Sequence, residues 1–213
     1  MTFLPSLPIL LAYAAACVVL AATPGPDMAL FLQKTLGGGR SHGFAALAGA
    51  MTGILAHTFA AALGLSALIA ASAKLYGALK IVGALYLLYL AYGAIRHGSA
   101  LRLESQGGGS SSLAKTYLKG VLINLTNPKI VLFFVTFLPQ FIEAGDPQAM
   151  QKFFLLGAAF VAIGSAVNAA IILVASRFVA AARANPLAIR LFDYGVASVM
   201  GAFAARLLIA EGR

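Results

Sequence analysis

Apolar runs of about 20 residues, each long enough to cross roughly 30 Å of hydrocarbon, recur along nearly the whole of this chain. They fall at about 8–36, 43–71, 75–96, 117–142, 152–180 and 190–210. In hydrocarbon no water satisfies the backbone, so each run must be helical; the runs are too long, and alternate too little, for barrel strands. Composition agrees, with 61% of the 213 residues hydrophobic and 10% charged, where a soluble domain carries about a quarter charged. A soluble globular class is excluded, and the lipid bilayer becomes the chain's expected solvent. The expected fold is an all-α integral membrane protein of six transmembrane helices.

The formal charge is +9, from 15 Lys and Arg against 6 Asp and Glu. In a soluble chain that balance would prompt a nucleic-acid reading. Here the basic residues sit mostly between apolar runs, where cytoplasmic loops and anionic headgroups attract them, so no nucleic-acid partner is expected. Cys17 is the single cysteine, which leaves no internal disulfide, CxxC redox pair or thiolate zinc cluster. No metal site and no cofactor are expected. Ser165 follows Gly164 but has no evident histidine and carboxylate partners, and a nucleophile needs a base, so an enzyme is not expected either. The first run lacks a basic leader and a small-residue cleavage site, and reads as a retained span rather than a signal peptide.

The longest polar stretch runs from His97 to Lys119 and contains Gly107-Gly108-Gly109-Ser110-Ser111-Ser112, the composition of a flexible linker. It divides a single transmembrane domain into a first three-helix repeat over 1–96, a cytoplasmic linker over 97–116 and a second repeat over 117–213. Three spans per half give the second half the opposite orientation, the arrangement of an inverted repeat. Proline breaks at Thr23-Pro24 and Asn127-Pro128 lie at comparable depth in the first span of each half, and aligning them sets Gly53 opposite Gly157. Lys and Arg are commoner in the gaps after the first, third and fifth spans, which places both termini outside the cytoplasm of a multi-pass inner-membrane protein.

The breaks carry the chemistry. Pro24 and Pro26 each lack an N–H and press on the carbonyls of Leu20 and Ala22, with Gly25 adding freedom between them; Pro128 does the same to the carbonyl of Asn124. Such breaks are tolerated in hydrocarbon only inside protein or beside a watery cavity. Asp27 lies well inside its run, where a carboxylate costs about 2.5–3.5 kcal/mol, so it should face the bundle interior, to hold a substrate ammonium, carry a proton or cap the second half-helix. Lys129 stands beside the second break, with Asn124 and Asn127 on one helical face. It can pair with Asp27, meet a substrate carboxylate or snorkel to the headgroups. His57, mid-span, is a candidate proton relay or a hydrogen-bonded structural residue. Gly49 and Gly53 mark a close helix contact.

With Thr23-Pro24-Gly25-Pro26-Asp27, Gly83-Ala84-Leu85-Tyr86-Leu87, Asn124-Leu125-Thr126-Asn127-Pro128-Lys129 and Phe137-Leu138-Pro139-Gln140-Phe141, the chain resembles the lysine-exporter (LysE/RhtB) family over essentially its full length. That resemblance implies a bacterial inner-membrane exporter of amino acids or their derivatives, driven by the proton-motive force. The family pattern carries over to Pro24, Gly25, Pro26, Asp27, Asn127, Pro128 and Lys129. The expected partners are an amino acid and protons, with a homo-oligomer left open. A passive channel or a membrane scaffold is the alternative, distinguished by whether uncoupling the proton gradient abolishes efflux.

Overall fold

The computed structural model describes residues 6–67, 73–97, 112–143 and 146–210, and is helical throughout these with no strand among them. The helices are α1 (Leu7–Ala22), α2 (Pro26–Gly38), α3 (Arg40–Ala60, extended by a π turn over Ala61–Leu65), α4 (Ala73–His97), α5 (Leu113–Leu125), α6 (Pro128–Leu132, extended by a π turn over Phe133–Phe137 and a 3-10 turn over Leu138–Phe141), α7 (Ala149–Leu173), α8 (Ala175–Ala184) and α9 (Pro186–Ala210). Among the described residues two helices are long and apolar enough to cross a membrane alone, Arg40–Leu65 and Ala149–Leu173. The count rises to four if the bent pairs α1–α2 and α5–α6 each form one span.

Both pairs bend where the prolines stand. At the first break Thr23 closes α1 by giving its N–H and its hydroxyl to the Val19 carbonyl, at 2.9 and 2.6 Å. Gly25 is extended, Pro26 opens α2, and the axes turn by 53°. At the second, α5 ends at Leu125, the Asn127 side chain caps α6, Pro128 takes the first turn, and the axes turn by 50°. Proline suits that position because its missing N–H would be unpaired there anyway. The junction of α2 and α3 is a single residue, Gly39 at φ 85°, the left-handed region that glycine enters without penalty.

The tightest helix contact joins α3 to α5. A Cβ on Gly49 would lie 2.0 Å from the Tyr117 carbonyl oxygen, and one on Gly120 would lie 2.3 Å from that of Ala46, so the two backbones touch through missing side chains. Gly53 and Gly157 are also close-contact positions, but against unlike partners, Asn124 and Thr58. Around this seam α1, α6 and α7 contribute an aromatic core, with Phe133 against Phe160 at 4.9 Å and Tyr13 edge-on to Phe141 at 5.0 Å, and α9 adds Val196 and Met200. The Tyr13 hydroxyl donates to the Leu156 carbonyl at 2.7 Å, satisfying the one polar atom that a buried tyrosine brings. Large apolar side chains such as Leu11, Leu55, Phe59, Val82 and Leu122 point outward, as lipid-facing surfaces do.

Two expectations shift. The fifth run does not continue as one helix to 180: α7 ends at Leu173, Val174 turns, and α8 carries exposed Arg177 opposite buried Ala175 and Val179. Arg40 donates from Nη2 to the Leu173 carbonyl at 2.8 Å, so a side chain rather than a further helical turn satisfies that end. The linker expected over 97–116 lies mostly outside the described residues, and its last residues, from Leu113, belong to α5. Ser112 caps that helix, accepting from the Lys115 amide at 3.3 Å. Between α6 and α7, Asp146 pairs with Lys152, and that hydrogen bond holds the Asp146 carboxyl below the usual carboxylate range.

Candidate functional site

The two breaks meet in the middle of the molecule. Asp27, in the first turn of α2, accepts at Oδ2 from the side-chain amides of Asn124 and Asn127, each at 2.9 Å. Both asparagines are buried on the far break, so the second half of the chain positions the carboxylate of the first. Asn127 has a second duty: its Oδ1 accepts from the Lys129 amide at 3.1 Å and starts α6. Both polar atoms of its side chain thus have a partner, and so does the amide nitrogen of Asn124. Asp27 Oδ1 and Asn124 Oδ1 remain buried without a hydrogen-bond partner among the described residues. Asn124 Oδ1 lies over Gly53, where a Cβ would stand 2.5 Å away, whereas Asp27 is among the residues lining a cleft.

Two of the carbonyls freed by the prolines, those of Leu20 and Asn124, are answered across the breaks. Lys129 Nζ donates to Leu20 at 3.1 Å and to Thr23 at 2.8 Å, both at the C-terminal end of α1. His57 Nε2 lies 3.4 Å from the Asn124 carbonyl oxygen, which also accepts from the Asn127 amide at 3.1 Å. A carbonyl only accepts, so this geometry asks His57 to carry its proton on Nε2. The ring stacks on Phe134 at 5.7 Å. The Lys129 ammonium is therefore spent on the backbone carbonyls of the first break rather than on a salt bridge with Asp27.

A narrow cleft lies beside Asp27 and Lys129. Its walls are Met28 and Phe31 of α2, Ile54 of α3 and Phe160 of α7, with Asn168 the further polar residue. Asn168 gives its amide to the Gly164 carbonyl at 2.9 Å. A negative group, a positive group and apolar walls are the surfaces that a small zwitterion with an apolar side chain would need.

The family model for LysE-type translocators matches residues 18–211. The chain belongs to that family. It is a membrane transporter, then, and not an enzyme. Similar proteins include the membrane protein YrhP of Bacillus subtilis, 38% identical over 142 residues covering 63% of this chain and 68% of its own. A leucine efflux protein of Enterobacter is 32% identical over 145 residues, 68% of each chain, and a membrane protein of Vibrio cholerae is 34% identical over 157 residues, 74% and 76% of the two. No solved structure matches the translocator.

The residues singled out from the sequence thus converge: Asp27, Asn124, Asn127, Lys129 and His57 form one hydrogen-bonded cluster around Pro24, Gly25, Pro26 and Pro128. Sequence reasoning missed Asp193, a carboxylate on α9 buried to 3% exposure. An acid inside the last apolar run was the available signal. It also missed that Thr23 supplies a carbonyl to the site, since no proline follows it at the spacing that frees one.

Proposed function

We propose that this translocator exports a zwitterionic amino acid with an apolar side chain across the bacterial inner membrane in exchange for protons. In this reading six spans form two inverted three-helix repeats with both termini outside the cytoplasm, and the cleft beside Asp27 is the transport site. The observation that carries it is Asp27 Oδ1, a buried acceptor with no partner among the described residues, on a residue that lines a cleft with Lys129 and largely apolar walls. A buried acceptor left unmade costs about 1–3 kcal/mol, more when charged, and a substrate ammonium or a proton supplies what it lacks. The leucine efflux relatives support the cargo class. The exchange of partners across the two breaks supports the repeat.

The substrate ammonium donates to Asp27 Oδ1 while Asn124 and Asn127 hold Oδ2 in place. Its carboxylate faces the Lys129 ammonium, and its side chain lies among Met28, Phe31, Ile54 and Phe160. Protonation of Asp27 from the outer side removes the negative charge, weakens the ammonium contact and releases the substrate. Rocking of one half against the other alternates access to the cleft.

Asp27→Asn, reconstituted in proteoliposomes loaded with leucine, tests the assignment. Export should fall by about 30-fold or more, the factor that a lost charged hydrogen bond of about 2 kcal/mol gives, and its pH dependence should flatten. Unchanged export with an unchanged pH profile would exclude Asp27 from the mechanism. Efflux from leucine-peptide-fed cells that persists after uncoupling would favour a passive channel.

A further inference from the structure

Lys129 is held by atoms that a charge-pairing account would not choose. Its ammonium bonds two backbone carbonyls, those of Leu20 and Thr23, where the last turn of α1 gathers partial negative charge. Pro24 has no N–H to give the Leu20 carbonyl, and α1 ends before any donor reaches that of Thr23. Gly25 keeps the approach clear, since a Cβ there would stand 3.3 Å from Lys129 Nζ and 3.5 Å from Cε. The position is a boundary. On one side lies the cleft beside Asp27; on the other lies a second, almost wholly apolar cleft, walled by Ala16, Val19, Tyr86, Phe133 and Met200. Leu20 and Lys129 line both.

We propose that the Leu20 and Thr23 carbonyls form a binding site for a primary ammonium, that Lys129 fills it as a tethered ligand, and that a substrate ammonium crossing between the clefts takes its place. Two carbonyls hold an ammonium through its N–H groups, so a quaternary ammonium of equal charge has nothing to offer them. The site lies beside Asp27, which makes it the second stop on one path: carboxylate first, carbonyls next, with Lys129 displaced toward the substrate carboxylate as its own place is taken. As a stop on a transport path this rests on the amino-acid reading; as a binding site it does not.

Lys129→Ala removes the propylammonium portion of the side chain and leaves the carbonyls open. Thermal unfolding of this variant and of the wild type is measured in lipid nanodiscs with n-propylammonium chloride against tetramethylammonium chloride at equal ionic strength. The variant should melt several degrees below the wild type, n-propylammonium should raise its midpoint saturably toward the wild-type value, and tetramethylammonium should leave it in place. The wild type, with these carbonyls filled, should shift by no more than n-propylammonium gains at Asp27 alone, and so by less than the variant. Equal responses of both proteins to n-propylammonium, or none in the variant, would overturn the proposal. Should Lys129→Ala not fold, Lys129→Met keeps a stem that stops one atom short of Nζ, and ammonium chloride against sodium chloride then reads the same site with the same two outcomes. Export is not read in this experiment, so its failure would leave the amino-acid assignment standing.

Discussion

At the first break the carbonyl that Pro24 leaves without a donor is answered by Lys129, a long cation arriving from the other half, whereas at the second the carbonyl that Pro128 frees is answered by the Asn127 backbone and by His57. The second break is also capped by its own asparagine, and its donors sit on short, stiff side chains or on the main chain. The first has no such local solution, because Pro24, Gly25 and Pro26 together remove two N–H groups and leave a single residue between them. The difference teaches where movement is cheap. A locally capped break is fixed by its sequence neighbours, while a break held by a flexible stem lets go when a better ligand arrives.

The largest test of this contrast is the seam on which both breaks depend. Gly49→Leu drives a side chain into the Tyr117 carbonyl, now 2.0 Å from the position of an added Cβ, and separates α3 from α5. Destabilisation above about 4 kcal/mol is expected, read as loss of monodisperse protein in size-exclusion chromatography. A folded, active Gly49→Leu would mean that the breaks hold each other without the seam. Asn127 sharpens the comparison next. Asn127→Asp keeps the cap on the Lys129 amide but sets a carboxylate against Asp27, so melting should fall by less than for Asn127→Ala while export falls by more, about tenfold or beyond. Parallel losses of stability and export in the two variants would show that the residue is only a cap. His57→Ala should have the smallest effect, about 0.5–1 kcal/mol of stability and less than threefold in export, because its bond is long and the Asn127 amide shares the same carbonyl. His57→Gln should recover most of that; a collapse of the pH dependence of export in both would instead make His57 a proton carrier.

What the sequence made legible was chemistry that acts locally. Proline geometry fixes the break positions and the freed carbonyls of Leu20 and Asn124, and the glycine spacing on α3 marks the seam, because each depends on neighbours a few residues away. Partner choice was less legible. Lys129 was open to Asp27, to a substrate or to the headgroups, and a side chain with four rotatable bonds reaches all three until helix packing decides. The end of α7 at Leu173 was hidden for a related reason, since Arg40, distant in sequence, supplies the group that satisfies it. Gly53 and Gly157 illustrate the limit from the other side: both are close-contact glycines, yet one faces Asn124 and the other Thr58, so a match in alignment did not carry a match in partner.

Gly25 has a consequence for how this protein can vary. The hydrogen at its Cα faces the Lys129 ammonium, and any larger residue must push Nζ by a few tenths of an ångström against carbonyls already in contact. A lineage that replaced the lysine would be released from the glycine, and one that replaced the glycine first would be selected at once for a shorter or absent cation. Positions 25 and 129, in opposite halves of the gene, are therefore expected to be inherited as one character, and a recombination joining the first half of one such gene to the second half of another would succeed or fail at that pair.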